Sequence, residues 1–118
     1  MFKTLGNLAS IARQAQQIGG KMQELNEQMK RERVTANSGA GLVEVEVNGL
    51  GEVLNVRIDP SLIEKGEQEM IEDLLPSAIN QAAAKAKQIH SEAMQKMAGD
   101  MGLPGLDQAM AQVSGQES

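Results

Sequence analysis

The chain has no cysteine, tryptophan or tyrosine, and Phe2 is its one aromatic residue. Without thiols there is no disulfide and no thiolate metal site, which fits a reducing compartment. Without aromatics the core must come from Val, Ile, Leu, Met and Ala, which bury less area per side chain. The same lack removes any platform on which unpaired bases stack. Long apolar runs are missing too. Gly6, Asn7, Ser10 and Arg13 interrupt the N-terminal region, which therefore reads as neither a signal peptide nor a membrane span. A soluble cytoplasmic protein is the expectation. Histidine occurs once, at His90, and no nucleophile and carboxylate accompany it at a recognisable spacing, so no catalytic residue is nominated and an enzyme is not expected. Glu67, Glu69, Glu72 and Asp73 suit the start of a helix, whose dipole they complement, and no Asp-rich calcium loop is present. The glycines at 39, 41, 49 and 51 flank strands and do not form a phosphate loop. No metal, cofactor or small-molecule substrate is expected.

What the chain does have is a central run of alternating valines. Val43, Val45 and Val47 alternate with Glu44, Glu46 and Asn48, and Leu54, Val56 and Ile58 alternate with Val53, Asn55 and Arg57. A period of two places apolar residues on one face of a strand. Asn48-Gly49 is a favoured pair for a tight turn with positive φ, and the segment reads as a β-hairpin. With a two-residue turn Val43 faces Leu54; with a loop from Asn48 to Gly51 it faces Val56. Either register keeps the valines on the face of Leu54 and Val56. Val34-Thr35-Ala36 suits a further short strand, with a turn at Asn37-Ser38-Gly39, completing a three-stranded antiparallel meander. Asp59-Pro60 ends the last strand, and residues 61–65 suit one helical turn closed by Gly66.

Long helices flank the meander. From Leu8 to about Arg33, Leu8, Ala15, Met22 and Met29 recur every seven residues, as do Ile11, Ile18 and Leu25, offset by three. This heptad seam predicts a helix lying against one partner helix. Gly19-Gly20 interrupts it and marks a bend or a close helix contact. A second helix is predicted from about Glu67 to Ala98, with a broad apolar face that includes Ile71, Leu75, Ala78, Ala82, Ala86 and Ile89. Pro76 either kinks it or marks its true start. Gly99 to Leu106 breaks the helix. Residues 1–106 therefore read as one domain and 107–118 as a polar, disordered tail, although Leu103, Leu106, Met110 and Val113 are apolar enough to dock weakly.

The 118 residues carry 11 Lys and Arg against 16 Asp and Glu, a formal net charge of −5. Taken alone this opposes a nucleic-acid partner. The distribution is uneven. Residues 1–34 hold Lys3, Arg13, Lys21, Lys30, Arg31 and Arg33 against Glu24, Glu27 and Glu32, a net of +3, which leaves −8 for the rest. A solvated mixed face accounts for this pattern; so does a surface for duplex DNA, whose phosphates require only spaced Lys and Arg.

Several segments together bring a family resemblance. Ser38-Gly-Ala-Gly-Leu-Val, Val47-Asn-Gly-Leu-Gly-Glu-Val and Val56-Arg-Ile-Asp-Pro-Ser-Leu resemble the central signature of the YbaB/EbfC family of bacterial nucleoid-associated proteins. Glu72-Asp-Leu-Leu, Ala78-Ile-Asn-Gln-Ala, Lys85, Met94, Met97 and Gly102-Leu-Pro-Gly-Leu are similar to its C-terminal half. The likeness reaches to about residue 106; Pro76, Gly19-Gly20 and the polar tail depart from it. It implies an α+β protomer of order α-β-β-β-α that forms a homodimer through its sheet. The long helices then project as arms that bind duplex DNA with loose sequence preference, in the nucleoid of a bacterial cytoplasm, with effects on DNA organisation and gene expression.

Two function classes follow. In the first, Arg13, Lys21, Lys30, Arg31 and Arg33 carry phosphate contacts, with Lys85, Lys87 and Lys96 contributing from the second helix. Val43, Val45, Val47, Leu54, Val56 and Ile58 build the sheet face and dimer core. In the alternative, the heptad-bearing arms clasp a helix of another protein.

Overall fold

The computed structural model of the protein describes residues 2–101, with side chains from residue 7 onward. Its elements run α1 (Phe2–Arg31), β1 (Val34–Ser38), β2 (Val43–Val47), β3 (Val53–Ile58), α2 (Pro60–Glu64) and α3 (Gln68–Asp100). The expected order of a long helix, an antiparallel meander and a second long helix is what the chain adopts, with strand order β1-β2-β3. The break at 99–106 and the tail after it extend beyond the described residues.

The meander's turns differ from the expected ones. β1 continues through Ser38, so the first turn is Gly39–Leu42 and not Asn37–Gly39. Ala40 (φ 56°) and Gly41 (φ 92°) occupy its central positions, and a turn with positive φ at both matches the right-handed twist of the strands it joins. In the second turn Gly49 does not have positive φ; Gly51 does, at 82°. Asn48 organises this loop. Its Oδ1 accepts from the Leu50 N–H (2.9 Å) and the Glu52 N–H (3.1 Å), and its Nδ2 donates to Glu52 Oε1 (2.8 Å). The Gly51 N–H donates to the Asn48 carbonyl (3.0 Å). A bulge beside Val47 then shifts the register, so that Val45 pairs with Val56 and Val43 with Ile58. Neither register read from the sequence is adopted, because each omitted the bulge. The facing survives: the valines still share a face with Val56.

α3 covers that face unevenly. It packs across β1 and β2, and Ala78, Ala82 and Ala86, four residues apart, are buried beneath it. Small side chains at this spacing let the helix lie close to the sheet. One row across the sheet makes the asymmetry plain. Ala36, Val45 and Val56 are neighbours, exposed by 2%, 0% and 39% respectively. The helix roofs two strands and leaves the third open.

α3 runs through Pro76, which therefore does not mark its start. Proline has no N–H to offer the carbonyl of Glu72 four residues back; both residues are exposed, so water can take that carbonyl. α2 is capped by Asp59, whose Oδ1 accepts from the Ser61 N–H (2.9 Å), with Pro60 in the first turn. The Ser61 side chain and then its backbone N–H hold the Asp59 carboxyl below its usual pKa, against a small opposing effect of desolvation; Arg57 and Lys65 add to the lowering.

Candidate nucleic-acid interface

Among the described residues, α1 is joined to the body near its C-terminal end. Met29 and Leu25 are buried, and the Gly49 N–H donates to the Met29 carbonyl at 2.7 Å. A Cβ on Gly49 would sit 2.9 Å from both that oxygen and the Met29 sulfur. Gly49 is thus required by close approach of the helix, not by the turn. From this junction α1 runs antiparallel to the end of α3, and an open cleft of about 300 Å³ between them is lined by Lys21, Leu25, Gln28, Ala93, Lys96 and Met97, among others. Among the described residues, the buried members of the heptad seam, Leu25 and Met29, fall in this stretch. Leu8 and Ile11, further along α1, are exposed. The protein is correspondingly elongated, 77 × 25 × 18 Å.

The basic residues nominated from the sequence occupy several settings. Arg13 and Arg31 lie eighteen residues apart on α1, which is five helical turns, about 27 Å along one side of the helix. Both are exposed, and neither makes a hydrogen bond or ion pair among the described residues. Lys21 pairs with Glu24 at 3.3 Å and Lys30 with Glu27 at 3.8 Å, both on the exposed surface. Arg33 is engaged structurally: its Nη1 donates to the carbonyls of Lys30 and Glu32, each at 2.9 Å, and so closes the C-terminus of α1.

On α3 the lysines diverge. Lys85 Nζ donates to the Thr35 carbonyl on β1 at 3.0 Å. Lys96 joins Lys21 at the α1–α3 cleft, together with Glu24 and Asp100. Lys87 lines a different open hollow, with His90, Ala83, Ala86 and the Gly49–Gly51 turn. Helical spacing places Lys85 and Lys96 on nearly one side, but the sheet claims the first and α1 the second. His90 is half-buried and lines this hollow with Lys87. Among the described residues no group of three or more His, Cys, Asp or Glu is placed to hold a metal ion, and no helix is long and apolar enough to cross a membrane.

The proposed interface residues also divide. Val43, Val45 and Val47 are wholly buried by this chain's own α3, so their cover does not wait for a second copy. Ile58 is half-buried at the margin of that core. Leu54 and Val56 are exposed, by 46% and 39%, and Val53 beside them by 48%. Val53 was read as an outward residue; the bulge brings it opposite Val47.

A sequence model described as the YbaB/EbfC DNA-binding family matches residues 5–101. Nucleoid-associated protein DP1429 of Desulfotalea psychrophila is 36% identical over 100 residues, covering 85% of this chain and 94% of that relative. Nucleoid-associated protein amb4104 of Paramagnetospirillum magneticum is 44% identical over 98 residues, covering 83% and 92%. Among solved structures, the uncharacterized protein HP0035 from Helicobacter pylori aligns with a TM-score of 0.57 at 31% identity, over 66% of this chain and 90% of that one.

Proposed function

The chain belongs to the YbaB/EbfC DNA-binding family, and from that premise we propose that it acts as a homodimeric nucleoid-associated protein that holds duplex DNA by its phosphates with loose sequence preference. The observation that carries the dimer is the open third of the sheet. Val53, Leu54 and Val56 are apolar and uncovered, on the edge strand of the described sheet, and such an edge is a template for another strand. A second copy presenting the same strand buries both faces at once and satisfies both edges by a two-fold arrangement.

The DNA reading rests on family membership and on where charge is available. Arg13 and Arg31 offer guanidinium groups on one side of α1, suited to phosphate oxygens. Lys21 and Lys30 are held by exposed ion pairs, each worth about 0–1 kcal/mol, which a phosphate can displace. Lys87 and Lys96 add charge from α3, whereas Arg33 and Lys85 serve the fold as well. Two copies double each weak surface, and bivalency supplies the affinity that a net acidic protomer lacks. A protein of this kind carries out no chemistry on its partner, and the nucleoid is its place of action.

The test is charge reversal. Arg31→Glu is expected to weaken duplex binding at least about tenfold through lost phosphate contact and added repulsion, with unchanged circular dichroism. Unchanged affinity moves the contact surface off this side of α1.

A further inference from the structure

The described sheet has two edge strands, β1 and β3, and their edges are finished differently. The ladder fixes which backbone groups face outward. The Asp59 N–H donates to the Leu42 carbonyl at 2.8 Å, so Leu42, Glu44 and Glu46 turn their backbone groups toward β3. Val43, Val45 and Val47 turn theirs toward β1, because successive residues of a strand point their N–H and C=O to opposite sides. Thr35 lies opposite Glu46, and Val56 lies opposite Val45. Both therefore point their N–H and C=O away from β2, Thr35 at one edge of the sheet and Val56 at the other.

At Val56 the edge is apolar and exposed, with Val53 and Leu54 beside it. At Thr35 the edge is occupied. Lys85 reaches down from α3, fifty residues away in sequence, and its Nζ donates to the outward Thr35 carbonyl at 3.0 Å. Its place next to the buried Ala82 and Ala86 sets it at the margin of the helix face that packs on the sheet. Both Lys85 and Thr35 are exposed. An outward carbonyl on an exposed residue does not need this partner, because water serves it nearly as well, and the bond orders a long side chain. What the bond changes is access. A strand arriving at β1 needs the Thr35 carbonyl for its own ladder and meets an ammonium already on it. Lysine at an edge is one of the devices that keep further strands from adding. We propose that Lys85 guards the β1 edge, so that copies of this chain join through β3 alone and assembly ends at the dimer. The inference rests on the dimer reading given above. With both edges open, each copy takes a neighbour at either side, and the assembly grows instead of closing.

Sedimentation velocity without DNA, over a series of protein concentrations, tests this. Lys85→Ala removes the donor and keeps a good helix former at an exposed position. It is expected to give species of at least about twice the wild-type mass that grow with concentration. The change removes a positive charge from a chain already at −5, which works against association, so relieved repulsion does not account for the growth. Lys85→Arg keeps a donor of similar reach and is expected to hold the wild-type mass. Thr35→Pro added to Lys85→Ala takes no ladder bond from β2, since that N–H points outward, and it blocks the same edge by other means. The wild-type mass is then expected to return. Lys85→Ala that sediments as wild type overturns the proposal. So does a larger species in Lys85→Arg, or one that persists with Thr35→Pro and so forms away from β1. The two readings fail separately: wild-type protein found as a monomer rejects the β3 dimer, whereas the guard is read from the difference between Lys85→Ala and wild type.

Discussion

Asn48 and Gly49 show how one dipeptide serves two purposes. Their pairing in sequence signals a tight hairpin, and a hairpin is present, but the left-handed residue is Gly51 and the Asn48 side chain fastens the loop. Gly49 is needed because Met29 of α1 lies against it. A long-range approach of this kind leaves no local signature, so the sequence suggests a glycine here for a different reason. The consequence is measurable. Gly49→Ala forces a Cβ against a backbone carbonyl, and overpacking of that sort costs about 1–3 kcal/mol. Urea unfolding is expected to show that loss. Wild-type stability would mean that α1 does not dock on this turn.

At the scale of elements, periodicity located both long helices and the alternating strands, because solvent on one side and core on the other impose those periods. β1 came from β-branched residues rather than from alternation, and its extent was short by two residues. The heptad seam was legible as a stripe, but not that Leu25 and Met29 are buried while Leu8 and Ile11 are exposed, since that depends on which stretch of α1 packs on the rest of the fold. Gly19-Gly20 lies on the exposed stretch of α1, with nothing within 4 Å of a Cβ at either position. Neither glycine serves a close contact, and the helix passes through both. Gly19→Ala and Gly20→Ala are each expected to favour the helix by about 1 kcal/mol, seen as greater ellipticity on heating. A loss of helicity would reveal a bend that α1 requires.

For the whole molecule, the decisive feature is the uneven roof. Both Val45 and Val56 read as core from their alternation, yet α3 covers one and leaves the other 39% exposed. Sequence cannot separate them, because the same pattern serves a strand buried by its own helix and one buried by a second copy. Substitution can. Val56→Asp is expected to give a folded monomer by analytical ultracentrifugation, while Val45→Asp, which buries an unpaired charge in the protomer, is expected to unfold the chain. A dimer that persists in Val56→Asp places the interface elsewhere. The basic residues were legible by type and not by occupation: Arg33 and Lys85 are drawn to backbone carbonyls, and Arg13 and Arg31 stay open to solvent.

The central claim is that an acidic chain holds duplex DNA through phosphates alone. The most direct measurement is fluorescence anisotropy of several unrelated labelled duplexes, titrated with the protein at rising salt. Phosphate-dominated binding predicts similar affinities for all of them and a linear fall of log affinity with log salt, with a slope of about −0.9 for each phosphate neutralised. Absence of binding at low salt would contradict the account and leave a protein partner for the helical arms as the leading reading.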